Sequence, residues 1–489
     1  MIVALLIIIT FFCFSFLMFK GKLPALIALP LFAIILSIIT SFPYYFSQID
    51  SIFFFTKLNF AFLNTINIIT VNVLGKGVLR LESTIMVIIL GGIFAQFLKL
   101  TGVAEKLVKS IAEFGSDNAF LITFLLTIMV SFLFSTLSGL GSIILIANIY
   151  IPVLLSLGIP PLLIASLFIM GLSLGGIFNM INWTFYIDLL HVEQSSIIKF
   201  AIPFSLIFLA ILLLFMIIEF HKARIKISFF AILKIISVLF VFALLFLFFR
   251  GLNFDSNALV LFKYGFFIGF FILVFLSLVS KKFYFLAVFA PFIPLALVLF
   301  FNWNINTSFI VGIIYLFLTT LNIDEKINFQ TSIKRLTQSS IEGAQSIVPA
   351  VVLMLGIGIL LIAVTEPSVQ YYLNPLLVKV LPGNRFFYVL FFTILAPLAL
   401  YRGPFNIWGM GSGLMQLIRA TGILPDFLIM TAFMTTGQIQ GVCDPTNTYN
   451  VWFSDQLKID LNAILKKTLP YMWLLVFLGL ILSIFIPIK

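Results

Sequence analysis

Charge is what this chain lacks most. Asp, Glu, Lys and Arg make up 9 % of its 489 residues, while 62 % are hydrophobic. A soluble domain carries roughly a quarter charged residues. Here apolar runs recur that are long enough to cross a bilayer as helices. Cysteine is nearly absent: Cys13 and Cys443 both fall in apolar runs, so no disulfide is expected. Chemistry-bearing clusters are missing too. The sequence has no His/Asp/Glu metal cluster, no phosphate-cradling glycine loop, no Ser/His nucleophile pair and no ATP-binding motif. His191 lies near Asp188 and Glu193, but no metal site is assigned there. These absences argue against an enzyme, a resident cofactor and a primary pump. Lys and Arg (28) outnumber Asp and Glu (17), giving a net charge of +11. In a soluble chain that excess points to nucleic acid. In a membrane chain it marks cytoplasmic loops, so the expected partner is the lipid bilayer and not nucleic acid.

What the chain has instead is helix. Residues 1–19 are apolar without a basic n-region, and Lys20-Gly21-Lys22 follows where a small-residue cleavage site would stand. This predicts a spanning helix rather than a removable signal. Spans are predicted near 2–19, 23–41, 84–100, 160–190, 197–219, 228–249, 256–279, 283–300, 308–322, 346–364, 425–453 and 468–487. The fold class is therefore an all-α polytopic membrane protein with about 12 spanning helices. Stretches 119–157 and 385–421 are apolar but interrupted midway by small and polar residues, the pattern of re-entrant hairpins. Residues 50–80 hold Lys57, Asn59, Asn64, Asn67 and Asn72 and are read as interfacial. The run from Asp324 to Arg335 is read as a solvated connector. Basic residues at His221–Lys226, Lys281-Lys282 and Lys326–Arg335 occupy alternate loops, which the positive-inside rule assigns to the cytoplasm, while Lys76 and Arg80 favour the opposite orientation.

The punctuation repeats. Gly139 and Gly403 stand 264 apart (403 − 139), and the same offset pairs Gly92 with Gly356, Thr101 with Thr365, Gly158 with Gly422, Pro161 with Pro425 and Thr184 with Thr448. The order of elements repeats as well. This divides the chain into N-terminal helices and an interfacial segment (1–83), a first repeat (84–220, hairpin 119–157, broken helix 160–190), central linker helices (221–345) and a second repeat (346–489, hairpin 385–421, broken helix 425–453). Seven crossings separate 84–100 from 346–364 if the hairpins contribute none. An odd number makes the repeats inverted, the architecture of secondary transporters.

The hairpin-plus-broken-helix pattern of 84–220 and 346–487 resembles the ion transporter superfamily of secondary carriers, which includes gluconate permeases, citrate carriers and dicarboxylate carriers. Hairpin tips in several of those families carry Ser-Asn-Thr. This chain has Ser135-Thr136-Leu137-Ser138-Gly139 and Arg402-Gly403-Pro404-Phe405-Asn406 in those places. The resemblance implies an elevator-type transport domain on a scaffold that forms a homodimer.

The candidate site follows from the breaks. A Gly-Pro pair at 403–404 breaks the helix, and broken backbone at membrane depth is tolerated only within protein or beside water. Arg402 clamps a carboxylate through its planar fork, forms a structural ion pair with a partner such as Asp444, or snorkels from a shallow hairpin tip. Asp444 either carries the coupling cation or caps a helix ahead of Pro445. Arg402, Gly403, Asn406, Ser138, Gly139, Ser142, Asn179, Asn182 and Asn447 are the substrate-binding candidates. Asp444, Thr446, Thr448 and Ser135 are the coupling-ion candidates, for Na⁺ or H⁺. Each hydroxyl and amide could equally serve an interhelical hydrogen bond. The function expected is uptake of a small organic anion, a carboxylate or sugar acid, by an H⁺- or Na⁺-coupled carrier in a prokaryotic cytoplasmic membrane. A cation/proton antiporter is the alternative, with Asp444 as the exchanging acid.

Overall fold

A computed structural model describes residues 2–20, 22–49, 53–114, 118–137, 139–225, 281–321 and 329–486, with a few single positions between 226 and 280. Every regular element among the described residues is helical. Among the described residues, seven helices are long and apolar enough to cross a membrane, eight if Pro161–Ile177 and Met180–Leu190 count as one broken span. Shorter apolar helices include Ile2–Met18 and Ile305–Thr319. The chain is thus an integral, multi-pass membrane protein. The expected spans 228–249 and 256–279 lie outside the described residues.

Two connectors are helical where they are described. Helix Phe54–Asn67, π-helix Ile68–Lys76 and 3-10 turn Gly77–Leu79 lead into helix Glu82–Leu100. The polar residues there are accommodated locally: Asn64 Nδ2 donates to Phe60 O, and the Thr65 and Thr70 hydroxyls donate to Ala61 O and Ile66 O. Such back-bonding keeps a polar side chain satisfied on an apolar helix. The described part of the Asp324–Arg335 run, from residue 329, likewise belongs to the continuous helix Phe329–Thr365 of 37 residues.

The chain forms two compact units. The first comprises Met1–Ile88, Ile181–Leu209 and Val348–Lys489. Its central element is helix Asp426–Cys443, buried on every face. Helix Leu461–Phe485 packs against it closely, because Gly479 leaves room for the Phe204 ring and the Thr435 methyl. Gly77 and Gly358 similarly let two helix backbones touch; a Cβ on Gly77 would lie 2.6 Å from the Ile359 Cα. Small residues at such crossings are the usual means of packing helices in lipid, where apolar side chains gain little by leaving the hydrocarbon. Tyr44 meets Tyr45 and Tyr371, and Phe46 meets Phe54, an aromatic belt at the end of helix Ala25–Gln48 and the start of helix Pro367–Val380.

The second unit comprises Ile89–Met180 and Ala210–Ile347. Helices Ala119–Thr136 and Pro161–Ile177 pack backbone to backbone. A Cβ on Gly171 would lie 2.7 Å from Thr127 O, and one on Gly175 would overlap Ser131 O. Tyr150, from helix Leu140–Ser156, bonds Thr127 through its hydroxyl at 2.9 Å and meets the Phe168 ring edge-on. Gln96 donates to the Glu342 carboxylate, and Gly92 meets Gly343 backbone to backbone.

Three local features recur at or near the sequence offset. The Thr101 hydroxyl donates to Phe97 O and Leu98 O, and the Thr365 hydroxyl to Leu361 O and Ile362 O, partners again 264 apart (361 − 97). Gly158 (φ 75°) and Gly422 (φ 67°) both end a helix in the left-handed conformation. Their N–H groups donate to Leu155 O and Arg419 O. Asn118 and Asn384 each cap a helix by accepting from the third residue on. The hairpin tips, in contrast, differ. Gly139 is left-handed at φ 86°, whereas Gly403 is extended at φ −68°, ψ −172°. In the second hairpin the left-handed residues are Tyr401 and Arg402, both at φ 56°.

Limb lengths also separate the hairpins. Helices Ala119–Thr136 and Leu140–Ser156 have 18 and 17 residues, so by length either limb of the first can cross. Segment Arg385–Arg402 is as long, at 18 residues, but the return limb Gly411–Ala420 has only 10, about 15 Å of helix, and cannot cross.

Candidate functional site

In the first unit the second hairpin and the second broken helix meet. Helix Arg385–Leu395 continues as a 3-10 turn, Ala396–Arg402, that unwinds at Leu400 and turns left-handed at Tyr401 and Arg402. For L-residues that geometry costs roughly 1–2 kcal/mol each. Strain of this kind persists where the surroundings hold it, and it clusters at functional sites. Gly403 follows because nothing larger fits: a Cβ there would overlap Leu398 O and lie 2.9 Å from Leu400 O. Asn406 then closes the loop. Its Oδ1 accepts from Trp408 N–H at 2.9 Å, and its carbonyl accepts from Gly409 and Gly411. Gly411 opens helix Gly411–Ala420, which starts without a side-chain cap. Phe405 packs on Phe392 and Phe433, and Trp408 on Phe185.

Helix Asp426–Cys443 ends at Asp444, which is 1 % exposed. The Asp444 Oδ1 accepts from the Thr446 N–H at 2.8 Å and from its hydroxyl at 2.7 Å, the Asx turn that Asp-Pro chemistry favours. The Arg402 N–H reaches Asp444 Oδ2 at 3.5 Å, a long contact. Asn447 spans the break: its Nδ2 donates to Gly441 O, and its Oδ1 caps helix Thr448–Leu457 by accepting from Tyr449 N–H. Thr448 opens that helix and is exposed.

Of the three readings weighed for Arg402, the ion pair with Asp444 is not formed. The contact with Asp444 runs through the main chain, and the half-buried guanidinium has no hydrogen-bond or ion-pair partner among the described residues. Asp444 caps the break through Oδ1, while its Oδ2 takes only the long Arg402 N–H contact.

Two further residues of this unit belong in the description. Asn450, 1 % exposed, donates through Nδ2 to Val442 O and Asp444 O, while its Oδ1 is a buried acceptor with no donor. A buried polar atom without a partner calls for an explanation in each case. Asp188 is a second embedded carboxylate, so Asp444 is not alone. The Asp188 Oδ2 accepts from the Thr84 N–H at 3.1 Å and from its hydroxyl at 2.8 Å. Arg80 donates to Asp188 O, and Gln416 and Arg419 to Leu189 O. Those donors satisfy the last carbonyls of helix Met180–Leu190, where positive charge is favoured. Sequence reading missed Asp188 in this role because its partners lie about a hundred and more than two hundred positions away. Asn182 lies within the same helix.

In the second unit the first hairpin and the first break also meet. The Asn179 Nδ2 donates to Phe134 O at 2.8 Å, at the end of helix Ala119–Thr136. The Ser135 hydroxyl donates to Phe132 O within its own helix. Gly139 starts the return limb with open space around its Cβ position. Ser138 lies outside the described residues, and Ser142 sits in helix Leu140–Ser156 with its side chain outside them. Among the described residues no group of three His, Cys, Asp or Glu side chains is placed to hold a metal.

No protein-family model matches the chain, and no curated protein matches it.

Proposed function

We propose that this protein is a secondary active transporter of a small organic anion, driven by H⁺ or Na⁺, in a prokaryotic cytoplasmic membrane. The observation that carries this reading is Arg402, half-buried on a left-handed break beside the buried Asp444, with no side-chain partner among the described residues. A buried cation without a counter-charge is costly, and the capless start of helix Gly411–Ala420 adds positive potential to the same loop. An anionic ligand relieves both. The antiporter alternative needs Arg402 as the structural partner of Asp444, and the missing guanidinium–carboxylate pair weighs against it.

The architecture proposed is a pair of inverted repeats within about 12 spans, each contributing a hairpin and a broken helix, working by an elevator motion in a homodimer. Its support is the 264-residue recurrence of the Thr101/Thr365 back-bonds and of the left-handed caps Gly158 and Gly422. For the second hairpin, the short return limb adds support for a re-entrant course. The same architecture favours a carrier over an enzyme.

Arg402 provides the test. Thermal-shift screening of the purified protein against carboxylates, with and without Na⁺, identifies a ligand by its stabilisation of the native state. Uptake of that carboxylate and of its neutral amide is then measured in proteoliposomes. Arg402→Gln should lose carboxylate uptake almost completely while melting normally. Arg402→Lys should weaken binding about tenfold or more, since the planar fork is lost. Normal uptake by Arg402→Gln, or equal uptake of the amide by the unsubstituted protein, overturns the anion reading.

A further inference from the structure

We infer, building on the transporter reading, that its coupling cation is Na⁺, held at the second helix break by the Asn450 side-chain oxygen together with the Asp444 carboxylate. Asn450 is the third residue of helix Thr448–Leu457 and is 1 % exposed. Its Nδ2 donates to Val442 O at 2.9 Å and to Asp444 O at 3.0 Å. Those two bonds fix the amide, because turning it over would set Oδ1 against two carbonyl oxygens. Oδ1 is therefore held as an acceptor, buried and with no donor among the described residues. The oxygen and nitrogen of a carboxamide are about 2 Å apart, so Oδ1 lies within about 5 Å of Asp444 O.

The break around that oxygen offers acceptors and few spare donors. Helix Asp426–Cys443 ends there, and the carbonyl end of a helix carries partial negative charge. Asp444 adds a carboxylate, 1 % exposed, whose Oδ2 takes only the 3.5 Å contact from the Arg402 N–H. The Thr446 hydroxyl spends its hydrogen on Asp444 Oδ1 and keeps its own oxygen as an acceptor. A proton or a water hydrogen satisfies one acceptor at a time, whereas a hard metal cation gathers several oxygens at once. A single carboxylate among neutral oxygens suits Na⁺ better than Ca²⁺, whose affinity rises with ligand charge. Na⁺ on Asp444 also masks the negative charge beside Arg402, so cation and anion should each tighten the binding of the other, by about tenfold.

The purified full-length protein is melted in detergent in NaCl or choline chloride at equal ionic strength, with no carboxylate added. Na⁺ should raise the melting temperature by several degrees in a saturable way, as a ligand of the native state does. Asn450→Ala should melt lower in choline, because Val442 O and Asp444 O lose their donor, and its half-saturating Na⁺ concentration should rise tenfold or more. Asn384→Ala, which removes a helix cap elsewhere, should melt lower and keep the Na⁺ response. Hydrogen exchange of the unsubstituted protein reads the same site without a substitution: Na⁺ should slow exchange in peptides covering 441–450. No Na⁺ response in melting or exchange, or a response that Asn450→Ala leaves unchanged, overturns the site. Uptake of labelled gluconate, lactate and succinate is then followed in proteoliposomes. Accumulation of any of them on a pH gradient in Na⁺-free buffer overturns the Na⁺ assignment and leaves carboxylate transport standing. If none accumulates and Arg402→Gln behaves as the unsubstituted protein, while Asn450→Ala still loses the Na⁺ response, the transporter reading falls and the cation site stands.

Discussion

At the scale of single residues the site is organised by backbone that ordinary side chains resist. Tyr401 and Arg402 hold left-handed angles that Gly or Asn would adopt with less strain. A guanidinium is kept there despite roughly 1–2 kcal/mol of cost per residue, which ties the position to its side-chain chemistry. Neighbouring glycines divide into two kinds, and alanine distinguishes them. Gly403→Ala drives a Cβ into Leu398 O and should destabilise by about 1–3 kcal/mol, as overpacking does. Gly437, inside helix Asp426–Cys443, has nothing within 4 Å of its Cβ position. Gly437→Ala should therefore stabilise by about 0.5–1 kcal/mol through helix propensity. Thermal unfolding in detergent measures both, and shifts of the same sign would contradict the packing argument.

At the scale of elements, polar groups decide where helices end. Glu366 precedes helix Pro367–Val380, beside the aromatic belt. Burial pushes its carboxyl up from the ordinary 4.5, opposed by the Asn72 hydrogen bond and the Lys76 charge. A raised folded value means that ionisation costs stability. The contribution is present below pH 4.5 and is lost as pH rises through the raised value. Melting curves from pH 4 to 7 should show that loss, and Glu366→Gln should remove it. Elements were also what the sequence displayed best. The second helix break falls within a few residues of its expected place, because Pro425 and Pro445 mark it, while the final helix starts at Leu461, seven residues (468 − 461) ahead of the apolar run that marked it. The join of 54–79 to Glu82–Leu100 was hidden, because Asn and Thr read as breaks until their back-bonds to helix carbonyls are seen.

At the scale of the whole molecule, the recurring punctuation was legible because glycine and threonine at helix ends serve a backbone purpose. Positive φ at Gly158 and Gly422 selects glycine in both places. Equivalent surroundings predict equivalent costs: Gly158→Ala and Gly422→Ala should each destabilise by about 1 kcal/mol, with open space around both Cβ positions. Unequal losses in melting experiments would set the two caps apart. The site itself was legible only in part. Arg402 and Asp444 announced themselves as charges in apolar sequence. The left-handed turn at Tyr401, the unpaired Asn450 Oδ1 and the Asp188 grouping did not, since each depends on angles or on partners distant in the chain.

The hold that Gln416 and Arg419 keep on Leu189 O has a consequence for biosynthesis. Ten residues carrying a glutamine and an arginine are too short and too polar for the insertion machinery to accept as a span. Helix Gly411–Ala420 therefore cannot enter the bilayer on its own account during synthesis. It must wait until helix Met180–Leu190, made more than two hundred residues earlier, offers the carbonyl its side chains grasp, and until Asp426 has emerged to neutralise Arg419. The segment after the proposed anion site is thus threaded into the membrane only after its partners, and a chain stalled before Asp426 should display it to the aqueous phase.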